Sequence, residues 1–319
     1  MLRKSIDLVY IRDVVRIDVH QHIWTPPLLD ALAHRDRLPF VRHTDGVAVL
    51  HCAGEPAWVI DLEAESPHHR AALLEADGVD QVLIALSSPI GIEALPRPEA
   101  QELIDAHLAG VEALGDTFSA WGPVALDRLD PDDVDTVLAH GCAGITLPAG
   151  ALAGPDAIAS VEPLLARAEA LDAPLFVHPG PGGATIREPS LTDPLWWAAL
   201  TDYVAEMQAA WLTFATVGRR EHPGLRVLFA MLAGGAPLHA ERLAARGGPP
   251  VDLRDPLTFY DTSSYGPAAI EDLGRRVGTG QLVYGSDRPV IEPARTEWDA
   301  VLKANGGRLI KSTENALAA

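Results

Sequence analysis

The chain has 319 residues, 48% of them hydrophobic, enough to bury a large core, and an α/β barrel of this length can form one domain spanning residues 1–319. A formal charge of −19, with 44 acidic against 25 basic residues and no Lys/Arg cluster, argues against nucleic acid or an anionic membrane as partner. Cys52 and Cys142 are too far apart to suggest a disulfide framework or a zinc finger, and neither MLRKSIDLVY nor any later run has signal-peptide or membrane-spanning length; the expectation is a soluble, cytoplasmic protein.

In chain order, eight apolar runs read as strands: VVRIDVH, DQVLIALS, FSAWGPVAL, AGITLPA, PLFVHP, RVLFAML, TFYDTSS and QLVYGSD. Between them lie stretches with apolar residues at helical spacing, among them PEAQELIDAHLAGVEAL, DPDDVDTVLAHG, IASVEPLLARAEALD and PLWWAALTDYVAEMQAAWLTFATVG. Asp130 before Pro131 and Asp193 before Pro194 read as helix N-caps. Strand and helix alternating eight times predict a (β/α)₈ TIM barrel. The stretch from His34 to Asp61 breaks the rhythm: DGVAVLHC and PAWVIDL read as short strands around a Gly-Glu-Pro turn, a β insertion (residues 34–61) between barrel strands one and two, near the barrel mouth.

The first run ends in IDVHQHIW. Residues two apart in a strand share a face, so His20 and His22 point together, while Val19 and Gln21 point the other way. At the carboxyl end of a barrel strand that face is the mouth, where two imidazoles can hold one cation or simply line a pocket as a hydrogen-bonded pair. His178 in PLFVHPGPGG and Asp287 in QLVYGSDRP fall at the ends of two further strands. Three imidazoles and a carboxylate suit one divalent ion, zinc first, with room for water.

IDVHQHIW, FVHPGP, FYDTSSYG and VYGSDRP, in this order and at barrel intervals, resemble the amidohydrolase superfamily. The likeness is to the branch with aminocarboxymuconate semialdehyde decarboxylase, related aromatic-acid decarboxylases and sugar lactonases, and it runs from about Arg16 to the C-terminal helix. The resemblance implies a metal-dependent barrel, commonly a homodimer, with His20, His22, His178 and Asp287 as metal ligands. The family usually has a strand-six histidine for proton chemistry; RVLFAMLAGGAPLHAERL keeps Gly234 and Gly235 but puts Met231 in its place, and a thioether exchanges no proton. His239, the nearest substitute, lies beyond the glycines.

The expected catalytic groups are therefore Asp287, as proton acceptor and donor, and His178. Arg187, Arg288 and Arg42 are candidates to hold a substrate carboxylate. Trp24, Tyr265, Trp58 and His51 are expected around the pocket, with Trp196 and Trp197 capping it or an interface. Asp261 is expected to accept a hydrogen bond from a ligand histidine, and Asp18 to be structural. Three functions stand open: hydrolysis of a small cyclic ester, lactone or amide; nonoxidative decarboxylation of an aromatic or unsaturated acid; or a catalytically silent barrel.

Overall fold

The structure, a computed structural model, describes residues 14–184 and 192–310. The eight apolar runs form one parallel barrel. Its strands are β1 (Ile17–Gln21), β5 (Gln81–Ile84), β6 (Phe118–Ala120) continued by β7 (Gly122–Pro123), β8 (Ile145–Pro148), β9 (Leu175–His178), β10 (Val227–Phe229), β11 (Thr258–Asp261) and β12 (Leu282–Val283). Parallel ladders join β1, β5 and β6, and a second set runs from β7 through β12.

Single hydrogen bonds close the gaps between these two sets. Trp121 N donates to Ile84 O and Gly122 N to Gly144 O, so β6 and β7 are one strand changing partners. On the other side Val19 N donates to Tyr284 O and Asp287 N to His20 O, which ties β12 to β1. Strands buried on both faces need near-continuous apolar sequence, and β8, β9 and β10 are buried at every position. Inside the barrel Trp121 packs on Phe176 with ring centroids 5.2 Å apart, and Phe176 in turn meets His20 at 5.0 Å. The core thus forms the floor of the mouth.

Local chemistry sets the helix ends. Ser66 Oγ accepts from His69 N to start the helix Pro67–Asp77, and Gly78 ends it at φ 63°, a conformation glycine adopts without penalty. Asp130 Oδ1 accepts from Asp132 N, but the helix Asp132–Ala139 starts one residue later than expected, with Pro131 rather than Asp130 at its cap position. The helix expected from Pro194 starts later and is broken: Trp197–Leu200, then Asp202–Thr213, then a π-helical turn over Phe214–Gly218.

The insertion has three strands where the sequence suggested two. β2 (Phe40–Thr44), β3 (Val47–His51) and β4 (Trp58–Asp61) form an antiparallel meander. Asp45 and Gly46, expected to open a strand, are instead the two-residue turn between β2 and β3, both with positive φ.

Candidate metal centre and active site

His20 and His22 stand on β1 and just past it, His178 ends β9, and Asp287 follows β12. All four are nearly buried at the carboxyl rim. The three imidazole rings form an equilateral set, every pair of centroids 5.0 Å apart with the planes 82–86° from one another. Nε2 of His22 lies 3.2 Å from Nε2 of His20 and 3.3 Å from Nε2 of His178. Asp287 Oδ1 is 3.5 Å from Nε2 of His20 and 3.3 Å from Nε2 of His22.

Each ring is fixed from behind. Nδ1 of His20 donates to Asp261 Oδ2, that of His22 to Ala85 O and that of His178 to Pro179 O, each at 2.8 Å. Those partners only accept, so each Nδ1 carries a proton, and a neutral ring then presents a lone pair on Nε2. Three such lone pairs facing one point repel unless a cation lies between them. Ligands held tetrahedrally about 2.0–2.1 Å from a zinc ion stand about 3.3–3.4 Å from one another. The observed separations match, so the donor set fits a divalent cation.

The charges agree. Burial disfavours a charged His20, but Asp261 and Asp287 outweigh it and raise its pKa to about 9. Burial and the neighbouring imidazoles push His178 well below its ordinary value. Burial would raise Asp287, yet His20, His22 and His178 bring it down to about 2, so it is a carboxylate at neutral pH. Its Oδ2 accepts from Ser264 Oγ at 3.1 Å. Close packing makes this possible: a Cβ at Gly285 would sit 3.0 Å from Cβ of both Asp261 and His20.

The cluster opens into a cavity of about 600 Å³. Trp24, Trp58 and Tyr265 line it as expected, together with Trp196. Sequence reasoning missed the polar wall residues Glu55, Ser87, Tyr203 and Ser264.

Among solved structures, the apo form of IDCase from Metarhizium anisopliae matches with a TM-score of 0.70 at 16% identity, over 95% of this chain and 96% of that one. A 5-carboxyvanillate decarboxylase from Novosphingobium aromaticivorans, complexed with manganese and 4-hydroxy-3-methoxy-5-nitrobenzoic acid, gives 0.64 at 18% identity over 95% and 96%. A Staphylococcus aureus protein described as an amidohydrolase gives 0.63 at 15% identity over 92% and 99%. No protein-family model matches the sequence, and no curated protein does. The chain shares the (β/α)₈ barrel fold of these proteins.

Several expected residues sit away from the mouth of this barrel. The Arg288 guanidinium pairs with Asp77 at 3.1 Å and Glu292 at 2.7 Å and does not line the cavity. Arg42 covers the Phe40 ring at 4.2 Å and donates to backbone carbonyls, while His51 stacks on the other residue of that pair, Phe40, at 4.8 Å. Neither lines the cavity. Arg187 lies outside the described residues. His239 is exposed, so it cannot stand in for the strand-six histidine. Met231 does line the cavity, at φ 52° in a left-handed run that continues through Gly235. Its N–H donates to Asp261 Oδ1 at 2.9 Å, so this residue supports the cluster through its backbone. Asp18 is structural as expected, accepting from Gln21 Nε2 and from the backbone of His20 and Ser286.

Proposed function

We propose that this chain is a metal-dependent hydrolase of the amidohydrolase superfamily, opening a small cyclic ester, lactone or amide. The observation that carries the reading is the convergence of three outward-anchored histidines on one point beside an ionised Asp287. Nε2 of His20, His22 and His178 with Asp287 Oδ1 would hold one divalent ion, zinc by preference for this donor set. When bound, such an ion supplies Lewis acidity toward a carbonyl oxygen and toward water. Asp261 keeps His20 turned inward, and Pro179 O and Ala85 O do the same for the other two rings. Asp287, a carboxylate already aligned by Ser264, takes the proton of the attacking water on its carboxylate oxygen and returns it to the leaving oxygen or nitrogen. Trp24 and Tyr265 flank the ring of the substrate, and the enclosing apolar wall excludes bulk water.

Nonoxidative decarboxylation is the second reading. Its support is the manganese-containing carboxyvanillate decarboxylase that shares the fold, together with Asp287, which after taking a proton from water is equally placed to pass it to a ring carbon. Purification without chelator, metal analysis, and a screen of lactones and cyclic amides against hydroxybenzoates test both. Metal-dependent acid release supports hydrolysis, and release of carbon dioxide alone supports the second reading. Less than about a tenth of an equivalent of metal would overturn both and leave the silent barrel.

A further inference from the structure

The mouth of the cavity is more apolar than a surface facing water requires. Fourteen large apolar side chains are exposed among the described residues, and seven of them line this one cavity: Trp58, Val59, Leu195, Trp196, Leu200, Val290 and Ile291. Single exposed apolar residues are ordinary, but half of them gathered at one opening mark a surface that takes an apolar occupant. They arrive from three separate segments: β4 of the insertion, residues 195–200 leading into and through the helix Trp197–Leu200, and the loop after β12.

This rim and the histidine cluster are parts of one cavity. The backbone N–H groups of Val290 and Ile291 donate to Asp287 O at 2.9 and 3.3 Å, so the third rim segment starts one turn from the carboxylate beside the histidines. Buried Trp24, Leu50 and Ile90 carry the apolar lining further inward. Volume adds a second constraint. A cavity of roughly 150 Å³ holds a benzene ring, whereas this one measures about 600 Å³. A small lactone or lactam at the histidines therefore leaves most of the space to water, against apolar walls that gain from its removal. A protein chain laid across the opening would cover the rim and leave the interior unfilled. An extended small molecule fills both.

We propose that the substrate is a small cyclic ester or amide carrying an unbranched apolar tail, with its ring at the histidines and its tail along the rim formed by Val59, Leu195, Trp196, Leu200, Val290 and Ile291. This deepens the hydrolase reading and rests on it for the ring, while the tail site rests on the rim and the cavity volume.

The test is a binding series on the purified full chain after chelator treatment, so that no turnover enters. The probes are uncharged N-alkyl-2-pyrrolidinones with methyl, butyl, hexyl and octyl tails, each kept below the concentration at which it aggregates. Binding is read by tryptophan fluorescence, because Trp24, Trp58 and Trp196 line the cavity. Affinity is expected to rise about twofold per added methylene, roughly half the free energy of burying one completely, and so about a hundredfold from methyl to octyl. Leu200→Glu, a change at an exposed position, is expected to cut that gain below about tenfold while leaving the methyl probe within about twofold. Leu171→Glu alters an exposed leucine that does not line the cavity and is expected to leave the gain intact.

A wild-type gain below about tenfold overturns the proposal. So does a full gain retained in Leu200→Glu, or one lost equally in Leu171→Glu, which is the mark of nonspecific adsorption. A flat series in a wild-type dimer that Leu200→Glu dissociates, followed by sedimentation, also overturns it and gives the rim to a second copy of the chain. Should Leu200→Glu fail to fold, Leu195→Glu, at the most exposed of the seven positions, takes its place. Absence of lactone or amide hydrolysis in the substrate screen would sink the hydrolase reading and leave the chain-length gain standing.

Discussion

The ends of β9 and β10 occupy equivalent places on the barrel rim, side by side, and the chain uses them in opposite ways. β9 finishes in His178, whose side chain points a nitrogen into the cluster. β10 finishes in a left-handed run from Met231, whose side chain offers no proton but whose N–H reaches Asp261, the acceptor behind His20. One helix steadies both ends: in Asp202–Thr213, Glu206 accepts from Gly180 N just past His178, and Gln208 donates to Gly234 O in the left-handed run. The difference teaches that a rim position can serve a cluster through its backbone when its side chain cannot. It also explains why the chain tolerates strain there, since non-glycine residues in left-handed conformation cost about 1–2 kcal/mol each.

The largest expected effect comes from breaking the β9 side. His178→Ala removes one of three converging nitrogens, and bound metal is expected to fall below about a tenth of an equivalent. The chelator-treated variant should melt with the chelator-treated wild type, because a rim side chain contributes little to the barrel core. Full metal occupancy in this variant would remove His178 from the cluster.

Asp261→Asn tests whether the two rims are coupled. Asp261 takes the His20 N–H on one oxygen and the Met231 N–H, with the Ser263 hydroxyl and N–H, on the other. Replacing the oxygen behind a ligating histidine is expected to weaken metal affinity about 10–100-fold, measured by competition with a chromogenic chelator. An unchanged affinity would mean that the main-chain partners alone fix the rings.

How much of this was legible beforehand follows from the range of each interaction. The four donors were readable because strand periodicity and strand ends are local properties, and His20, His22, His178 and Asp287 each close an apolar run. Met231 was readable as a departure, but its left-handed backbone was not, because Met, Leu and Ala carry no signal for that conformation as Gly234 and Gly235 do. β2 escaped notice because Phe40–Thr44 is a mostly exposed strand of the insertion, and Arg42, His43 and Thr44 give it no apolar alternation. The Glu55–Tyr203 contact spans 148 positions and leaves no trace in either neighbourhood. Arg288 and Arg42 were misassigned for the same reason: an arginine reads the same whether it meets a ligand or Asp77.

A milder change sharpens the β10 side. Met231→His restores the usual side chain at a position whose backbone N–H is already engaged, and histidine enters left-handed conformations more readily than most residues. Stability measured by urea unfolding is expected to change by less than about 1 kcal/mol. A larger loss would show that the thioether packs against the cavity wall rather than merely facing it.

The smallest effect lies in Glu206, the residue that steadies the β9 end from outside. Its pKa, lifted to about 7 mainly by burial, exceeds the ordinary glutamate value of 4.5, so the folded chain keeps this proton over a range in which the unfolded chain has released it. Stability should therefore fall as pH rises from about 4.5 to 7 and lose this dependence above that range. Glu206→Gln keeps an oxygen to accept from Gly180 N and carries no titrating proton. Relative to the wild type, the variant should gain in melting temperature as pH rises through that window, with the difference levelling off beyond it. A constant difference across the window would mean that Glu206 is solvated and that the β9 end is held by His178 and Pro179 alone, which would leave Asp261 on the β10 side as the more important of the two supports.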